Sequence, residues 1–247
     1  MVGIDDELCP GLKHTCLERR EAWQCARFSP DSRCEGDVLP LRYCIDRYEY
    51  PNRSGVEPTL MVSWFEAKRR CQAEGKRLCT EPEWSLACEG PRHLPFPYGY
   101  VRDAEACNID RATRYMDLAR LFDPLTQADE LARIDQREPS GNRPRCVSEY
   151  GVYDLTGNVD EWVVNPSGHP YRSSLKGGNW EAHRNACRPV TRGHQPGFVF
   201  YPLGFRCCRD PLDERSASKK PSPDSARARA AGSSSSGQGS VMHSKRP

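Results

Sequence analysis

Residues 75–88, GKRLCTEPEWSLAC, contain the clearest structural signal in the sequence, a helix start that satisfies its own backbone. Thr80 and Glu83 form the T-x-x-E pattern of a capping box, in which each side chain accepts a hydrogen bond from the other residue's backbone amide. Pro82 falls in the first turn, where its missing N–H costs nothing, and Gly90 marks the end. The stretch therefore predicts a short, well-delimited helix.

A second helix is predicted just before it, in residues 61–71, MVSWFEAKRRC. Ser63 and Glu66 form another capping box, and Gly75 suits the position after the last turn. Elsewhere Gly, Pro and Asn recur every few residues. Brief strands in an irregular α+β domain are predicted by a β-type run at residues 41–50 and by short apolar runs at residues 150–153, 162–164 and 204–207.

Charge and composition exclude several classes of function. The 247 residues carry a net charge of +2, of which residues 211–247 contribute +4, so residues 1–210 are at −2. We therefore expect no nucleic-acid partner, and the absence of any run of 18 apolar residues predicts no membrane span. Residues 1–210 are predicted to form one domain. Residues 211–247, with ten serines and no aromatic residue, are predicted to be a disordered tail.

Cysteine use is the next specific signal, because 13 cysteines is a heavy load for this length. Structural zinc normally shows paired C-x2–4-C knuckles, which are missing here. A disulfide framework in an oxidising compartment is the better interpretation, and the odd count leaves at least one thiol free or paired with another chain. The cysteines are Cys9, Cys16, Cys25, Cys34, Cys44, Cys71, Cys79, Cys88, Cys107, Cys146, Cys187, Cys207 and Cys208.

The first residues, MVGIDDELCP, have neither a basic stretch nor an apolar stretch of the kind a signal peptide needs. Two interpretations stay open. Either the first methionine is internal to a longer precursor and the protein is extracytoplasmic, or the protein is cytoplasmic with reduced thiols. The cysteine content favours the first.

Five motifs in a fixed order carry a family resemblance: residues 61–71, residues 75–88, DLTGNVDEW at 154–162, KGGNW at 176–180 and GFRC at 204–207. Together they resemble the formylglycine-generating enzymes, also called sulfatase-modifying factors, over roughly residues 40–208. The resemblance implies a single C-type-lectin-like domain with little regular secondary structure. It also implies relatives with different roles: copper-dependent oxidation of a cysteine in a sulfatase peptide, nonheme-iron chemistry, pigment maturation, or binding alone.

The resemblance implies a calcium site in residues 154–161. Asp154 and Glu161 would supply side-chain oxygens, and Gly157 and Val159 would supply carbonyl oxygens, which suits a hard cation in a flexible loop. The alternative is a solvated turn in which Asp154 caps a local amide and Glu161 pairs with an arginine. A second implied site begins at Asn108 and Ile109, for which Asp123 and Asp129 are the candidate downstream partners.

The copper site of the oxidase members needs two thiolates, five residues apart, after a GG-S turn. Counting from Gly177 and Gly178, these positions are Ala182 and Cys187 here, so the first thiol is missing. When the positions are counted back from GFRC instead, Cys187 no longer falls on the second thiol position. Two more family positions differ, because Asn179 replaces a serine and Asp160 replaces a tryptophan.

Cys187 is therefore a weak candidate nucleophile, and a disulfide with Cys88 is the preferred prediction. The resemblance also implies that Cys71 pairs with Cys207 or with the adjacent Cys208. We do not expect copper.

Iron would need two or three converging histidines, and no H-x3-H pattern is present. His183 and His194 lie near the implied pocket, but isolated histidines are more often structural.

Two functions remain open. The first is an oxidase of the formylglycine type, acting on a protein or peptide thiol, with its activity altered or lost. The second is a non-catalytic module, stabilised by calcium and disulfides, that binds a peptide or carbohydrate. We expect a monomer in either case.

Overall fold

Both predicted helices form in the computed structural model, which describes residues 1–21 and 24–211. Helix α1 is Trp64–Ala73 and α2 is Glu81–Glu89. At α2 the capping box is complete, with Thr80 and Glu83 each accepting from the other's backbone amide. At α1 only the Ser63 half forms, since the Glu66 carboxylate instead binds Arg69 and Arg70 on the next turn. The full box predicted at α1 is therefore wrong.

The strands form three small antiparallel or mixed sheets. Strand β1, Val2–Leu8, pairs antiparallel with β4, Leu39–Ile45. Strand β4 then pairs with β10, Cys207–Arg209, which pairs with β5, Arg77–Leu78. This sheet brings the first and last described strands together around a central β4–β10 pair.

A second sheet supports the motifs that sequence reasoning singled out. Its order is β8-β7-β6-β9, where β6 is Asp160–Val164, β7 is Ser173–Lys176, β8 is Val190–Thr191 and β9 is Leu203–Phe205. Strands β6 and β9 run parallel, and the other two pairs are antiparallel. The GFRC motif thus lies directly beside the strand that carries Glu161.

A two-stranded hairpin of β2, Lys13–Glu21, and β3, Gln24–Arg33, stands apart from both sheets. Two short helices also follow Cys107, namely α3, Leu118–Phe122, and α4, Gln127–Ile134. None of these four elements was predicted. Conversely, residues 150–153 form a turn with one isolated bridge between Val147 and Tyr153, so the strand predicted there is wrong.

Twelve of the 13 cysteines form six disulfides, and Cys44 in β4 is the free cysteine within the described residues. The predicted bonds Cys71–Cys207 and Cys88–Cys187 are both present. The other four are Cys9–Cys34, Cys16–Cys25, Cys79–Cys208 and Cys107–Cys146. The domain is thus α+β, low in regular structure and rich in disulfides, as predicted.

Within the described part of the chain, no helix combines the length and apolar character needed to cross a bilayer. The described residues, 1–21 and 24–211, belong to one compact unit, and the predicted disordered tail lies outside them, apart from Pro211.

Candidate functional site

A fully buried ion pair lies at the centre of the domain, between β6 and the junction of β9 and β10. Both oxygens of Glu161 accept hydrogen bonds from the Arg206 guanidinium, at 2.6 and 2.7 Å. The Trp84 indole in α2 donates a third hydrogen bond to Glu161, at 2.9 Å. Because neither charged side chain is exposed to water, protein groups alone hold this pair in place.

Two further buried carboxylates, Asp154 and Glu49, lie near the same arginine. One Asp154 oxygen accepts from the backbone amide of Gly141 at 2.7 Å. One Glu49 oxygen accepts from the Ser140 hydroxyl at 3.0 Å and from the Asn158 side chain at 2.7 Å. Within residues 1–21 and 24–211 neither carboxylate has a salt-bridge partner of its own.

The pKa values of this cluster show that burial disfavours ionisation of Asp154 and Glu49. Burial raises the pKa of Asp154 to about 6. Burial, reinforced by the charges of Asp154 and Glu161, raises the pKa of Glu49 well above its usual range. One arginine balances one of the three carboxylates, so all three would be ionised together only beside a further positive charge such as a divalent cation.

The turn that leads into β6 is rigidly placed against a neighbouring segment. Gly157 has a φ of +85°, and an added Cβ there would lie 2.3 Å from the carbonyl oxygen of Asn108. Only glycine fits this position without displacing backbone. The next residue but one, Val159, donates its amide to Glu49 at 3.2 Å.

The donor set around Asp154 therefore fits calcium in charge and in oxygen chemistry. Side chains alone do not complete it, because no group of three or more His, Cys, Asp or Glu in the described residues has a metal-binding arrangement. Ligation would also need the carbonyls of Gly157 and Val159. The alternative interpretation, a solvated turn in which Glu161 pairs with an arginine, is met in part, because Glu161 pairs with Arg206. The turn, however, is buried and not solvated.

The second implied calcium set is less suited to a cation. The side-chain oxygen of Asn108 accepts from the Arg111 guanidinium at 3.0 Å, so a positive group already occupies it. Ile109 is buried beside it. Asp123 ends α3 and Asp129 lies in α4, and both are exposed, whereas Asn108 is buried.

The loop that follows Gly177 and Gly178 carries the implied copper positions. Ala182 offers no donor atom, and the sulfur of Cys187 is bonded to Cys88, with the two Cα atoms 5.4 Å apart. Asn179 uses its side-chain oxygen to accept the Glu181 amide at 2.8 Å. The residues present at this loop therefore do not fit a pair of copper thiolates.

Asp160 in β6, the position for which the resemblance implies a tryptophan in the oxidases, forms a salt bridge with Arg184 of the loop after Gly178. Burial raises the pKa of Asp160, and the Arg184 charge opposes that shift.

The two candidate iron histidines have different surroundings. His183 lies 3.4 Å from the Glu181 carboxylate, and His194 stacks on Phe198 with ring centroids 4.2 Å apart. Neither contact resembles a metal-binding triad.

Lys176 binds the backbone of the loop after Gly178, and its ammonium group is fully buried. It donates to the carbonyls of Cys187 and Arg188 at 2.6 and 3.0 Å, and it lies 5.1 Å from the centroid of the Trp84 ring. Burial lowers the pKa of Lys176 to about 7, while the charge of Glu89 opposes that shift. The loop is therefore anchored at Cys187 by both a disulfide and a lysine.

The β2–β3 hairpin contacts this loop and also residues 100–110. Gln24 donates its side-chain amide to the His183 carbonyl at 3.1 Å, and Phe28 donates its backbone amide to the Tyr100 carbonyl at 2.9 Å. Arg20 adds a salt bridge to Asp110 at 2.6 Å. The sequence predicted neither the hairpin nor a role for Glu49, although Glu49 lies in the β-type run at residues 41–50.

A comparison with known protein families gives a match over the residues that carry these motifs. Residues 44–211 match the family model described as "Sulfatase-modifying factor enzyme 1-like domain". The chain belongs to this sulfatase-modifying factor family. The β2–β3 hairpin precedes the matched residues and lies outside the family model.

Two curated relatives of the family show its range. The chain is 30% identical over 180 residues to the formylglycine-generating enzyme of Bos taurus, covering 63% of this chain and 44% of that protein. It is 29% identical over 164 residues to the inactive C-alpha-formylglycine-generating enzyme 2 of Mus musculus, covering 61% of this chain and 48% of that protein. The chain thus spans about half the length of these relatives.

Among solved structures, CarF superposes with a TM-score of 0.52 at 14% identity, covering 85% of this chain and 99% of that chain. That likeness concerns the fold alone.

Proposed function

We propose that this protein is a sulfatase-modifying-factor-type binding module that has lost copper-dependent oxidation of cysteine. One observation carries the proposal: the two implied copper positions hold a methyl group, at Ala182, and a disulfide sulfur, at Cys187. Copper(I) is held by thiolates, and a sulfur in a disulfide has no thiolate to offer.

The remaining thiol does not replace the missing pair. Cys44 lies in the middle of the first sheet, with Gly3 and Arg209 as its register partners on either side. Cys187, by contrast, lies in the loop beyond β7. A single thiol in a separate element gives no two-coordinate sulfur site.

Oxidase activity is the second candidate, and a specific observation favours it. Cys187 takes the second thiol position when counted from Gly178, and a dithiol reductant that opened the Cys88–Cys187 bond would free its sulfur. Under this candidate the substrate would be a cysteine in a protein or peptide, as the name of the Bos taurus relative indicates for that protein.

Mass spectrometry of a cysteine-containing sulfatase-type peptide separates the two candidates. The oxidised protein, the dithiol-treated protein and the Ala182→Cys variant are each incubated with the peptide, copper(I) and oxygen. We expect no conversion of the thiol to an aldehyde by the unaltered chain in either redox state. Conversion that disappears in Cys187→Ser would overturn the proposal and support the oxidase.

Calcium is part of the proposal, with Asp154 as the principal side-chain ligand, the carbonyls of Gly157 and Val159 beside it, and Glu161 held mainly by Arg206. The cation would supply no chemistry beyond charge neutralisation and would stiffen the turn at Gly157. Six disulfides fit an extracytoplasmic location, because reducing compartments do not sustain such a framework. The ligand class proposed for the module is a peptide or a carbohydrate.

A further inference from the structure

A groove with a volume of about 470 Å³ lies between helix α1 and the loop that joins β6 to β7. Trp64, Lys68 and Gln72 form its helical wall, because residues spaced four apart lie along one face of a helix. Residues 164–168 and Arg172 form the other wall. The volume falls within the range of sites that bind small organic molecules. We call this feature the α1 groove.

The walls of the α1 groove are fixed by hydrogen bonds that need no ligand. The Trp64 indole in α1 donates to the Val163 carbonyl in β6 at 3.0 Å. In the loop, the buried Asn165 donates its side-chain amide to the carbonyls of His169 and Tyr171, at 3.0 and 2.9 Å. A ligand therefore does not have to order these walls, which lowers the cost of binding.

The charge of the α1 groove has one sign, since no Asp or Glu lines it although the domain as a whole is net negative. One of its three cations, Arg77, is already balanced by salt bridges to Glu83 and Asp210. The other two, Lys68 and Arg172, have no salt-bridge partner within the described part of the chain. The groove thus presents two positive charges that these residues leave unbalanced.

Lys68 differs in this respect from the other lysines of the described chain. Lys13 and Lys76 bind carboxylates, and Lys176 binds backbone carbonyls. The Lys68 ammonium instead lies over the Trp64 ring, 5.3 Å from its centroid. A ring face attracts a cation without cancelling its charge, so the Lys68 ammonium stays available to an anion.

Arg172 is fixed at its backbone and exposed at its side chain. Its carbonyl accepts a hydrogen bond from the Asn165 backbone amide at 2.9 Å. Because Lys68 and Arg172 are both long and exposed and line the same groove, their charged ends can turn towards a single anionic group there. A guanidinium can bind two oxygens of such a group with parallel hydrogen bonds.

The rest of the α1 groove offers apolar surface. Val164 is half-buried and Pro166 is exposed, and both line the groove. The methylene stems of Lys68 and Arg172 add to this surface while their charged ends stay in water. The hydrocarbon part of a ligand would be stabilised here, because binding removes apolar surface from water.

We propose that the α1 groove binds a small amphiphilic organic anion, in which a carboxylate or sulfonate group is joined to an apolar ring system. Lys68 and Arg172 bind the anionic group, and the ring system covers Val164 and Pro166. The site goes beyond the proposed function. Val164 and Asp160 are the two ends of β6, about 13 Å apart along the strand, so the groove is separate from the implied calcium and copper positions.

Fluorescence titration of the full, oxidised chain with 8-anilinonaphthalene-1-sulfonate tests the proposal. N-phenyl-1-naphthylamine, which has the same ring system without the sulfonate, is the matched neutral probe. We expect saturable binding of the sulfonate, weakened by added sodium chloride because salt screens exposed charges, and about tenfold weaker binding of the neutral probe. Neutral-probe binding as tight as that of the sulfonate, or no saturable sulfonate binding, would overturn the proposal.

Charge-removing variants locate the binding. Lys68→Gln and Arg172→Gln should each weaken sulfonate binding about threefold, as expected for exposed ion pairs, and the double variant about tenfold. Lys13→Gln combined with Arg69→Gln is the control, because it removes the same net charge at exposed positions outside the groove. A thermal melt confirms that each variant is folded. Equal sulfonate affinity in the two double variants would place the probe elsewhere and contradict the site.

Discussion

Arg206 binds Glu161 with two hydrogen bonds of 2.6 and 2.7 Å, in a position where neither side chain is exposed to water. The cost of removing both charges from water is offset only while both are present. Replacing Arg206 by Met leaves Glu161 charged and buried without its cation. The neighbouring Asp154 and Glu49 make this loss more severe.

We therefore expect Arg206→Met to lower the free energy of unfolding by about 3–5 kcal/mol, measured by urea denaturation. The double variant Arg206→Met with Glu161→Leu should recover a large part of that loss. Arg42→Ala, which breaks an exposed ion pair with Asp5, serves as a control with little expected effect. If Arg206→Met were as stable as Arg42→Ala, the Arg206–Glu161 pair would not stabilise the core.

Calcium is expected to stabilise the domain through Asp154. Millimolar EDTA should lower the melting temperature, and added calcium should restore it, because a ligand bound to the folded state stabilises that state by mass action. Asp154→Asn should remove this response. Asp123→Asn, at the exposed end of α3, should retain it. A melt unaffected by EDTA would instead support the turn interpretation.

The Cys71–Cys207 bond is expected to contribute about as much stability as the Cys16–Cys25 bond, although their sequence separations are 136 and 9 residues. The Cys79–Cys208 bond already holds residues 79 and 208 together in the unfolded chain, so Cys71–Cys207 closes only a short path through that bond. For loops of roughly ten residues the chain-entropy model assigns about 2.5 kcal/mol to each bond. Each pair is replaced by alanines, and urea midpoints are compared. A loss twice as large for the Cys71–Cys207 pair would contradict this expectation.

His14 should make stability fall on acidification. Its pKa is lowered from 6.5 to about 4 in the folded state, chiefly by burial, so the unfolded chain binds its proton first as the pH drops. The loss of stability should therefore occur between about pH 6.5 and pH 4. His14→Phe should flatten the curve in that window, and His169→Phe, at an exposed loop, is the comparison. Parallel curves for His14→Phe and the unaltered chain would contradict this assignment.

Local signals predicted the parts of the fold that local physics determines. The Thr80 cap formed as expected because its partners lie within one turn. The Glu66 half of the other box did not form, because arginines on the next turn compete for the same carboxylate. The Cys71–Cys207 and Cys88–Cys187 bonds were predicted through the family resemblance, since 13 cysteines alone allow a very large number of pairings.

The rest of the candidate site depends on contacts distant in sequence. Glu49 meets Asn158 across 109 residues, and Gln24 meets His183 across 159 residues. Residues 13–33 show no alternation of apolar and polar residues that would predict the hairpin. Its strands carry charged residues, and their pairing is irregular at several positions. A single sequence holds no record of such pairings, so the acidic cluster and the contact between the hairpin and the loop after Gly178 became visible only in three dimensions.

The disulfide pattern also determines how the protein would respond to a protease. The exposed side chains of Tyr115 and Leu125 lie near the two short helices α3 and α4, within a segment that four bonds span. Those bonds are Cys71–Cys207, Cys79–Cys208, Cys88–Cys187 and Cys107–Cys146. A cut between residues 108 and 145 would leave two fragments joined at four points. The nicked protein would run as one band on a gel until it is reduced, and the cut fragments would stay together in an oxidising environment.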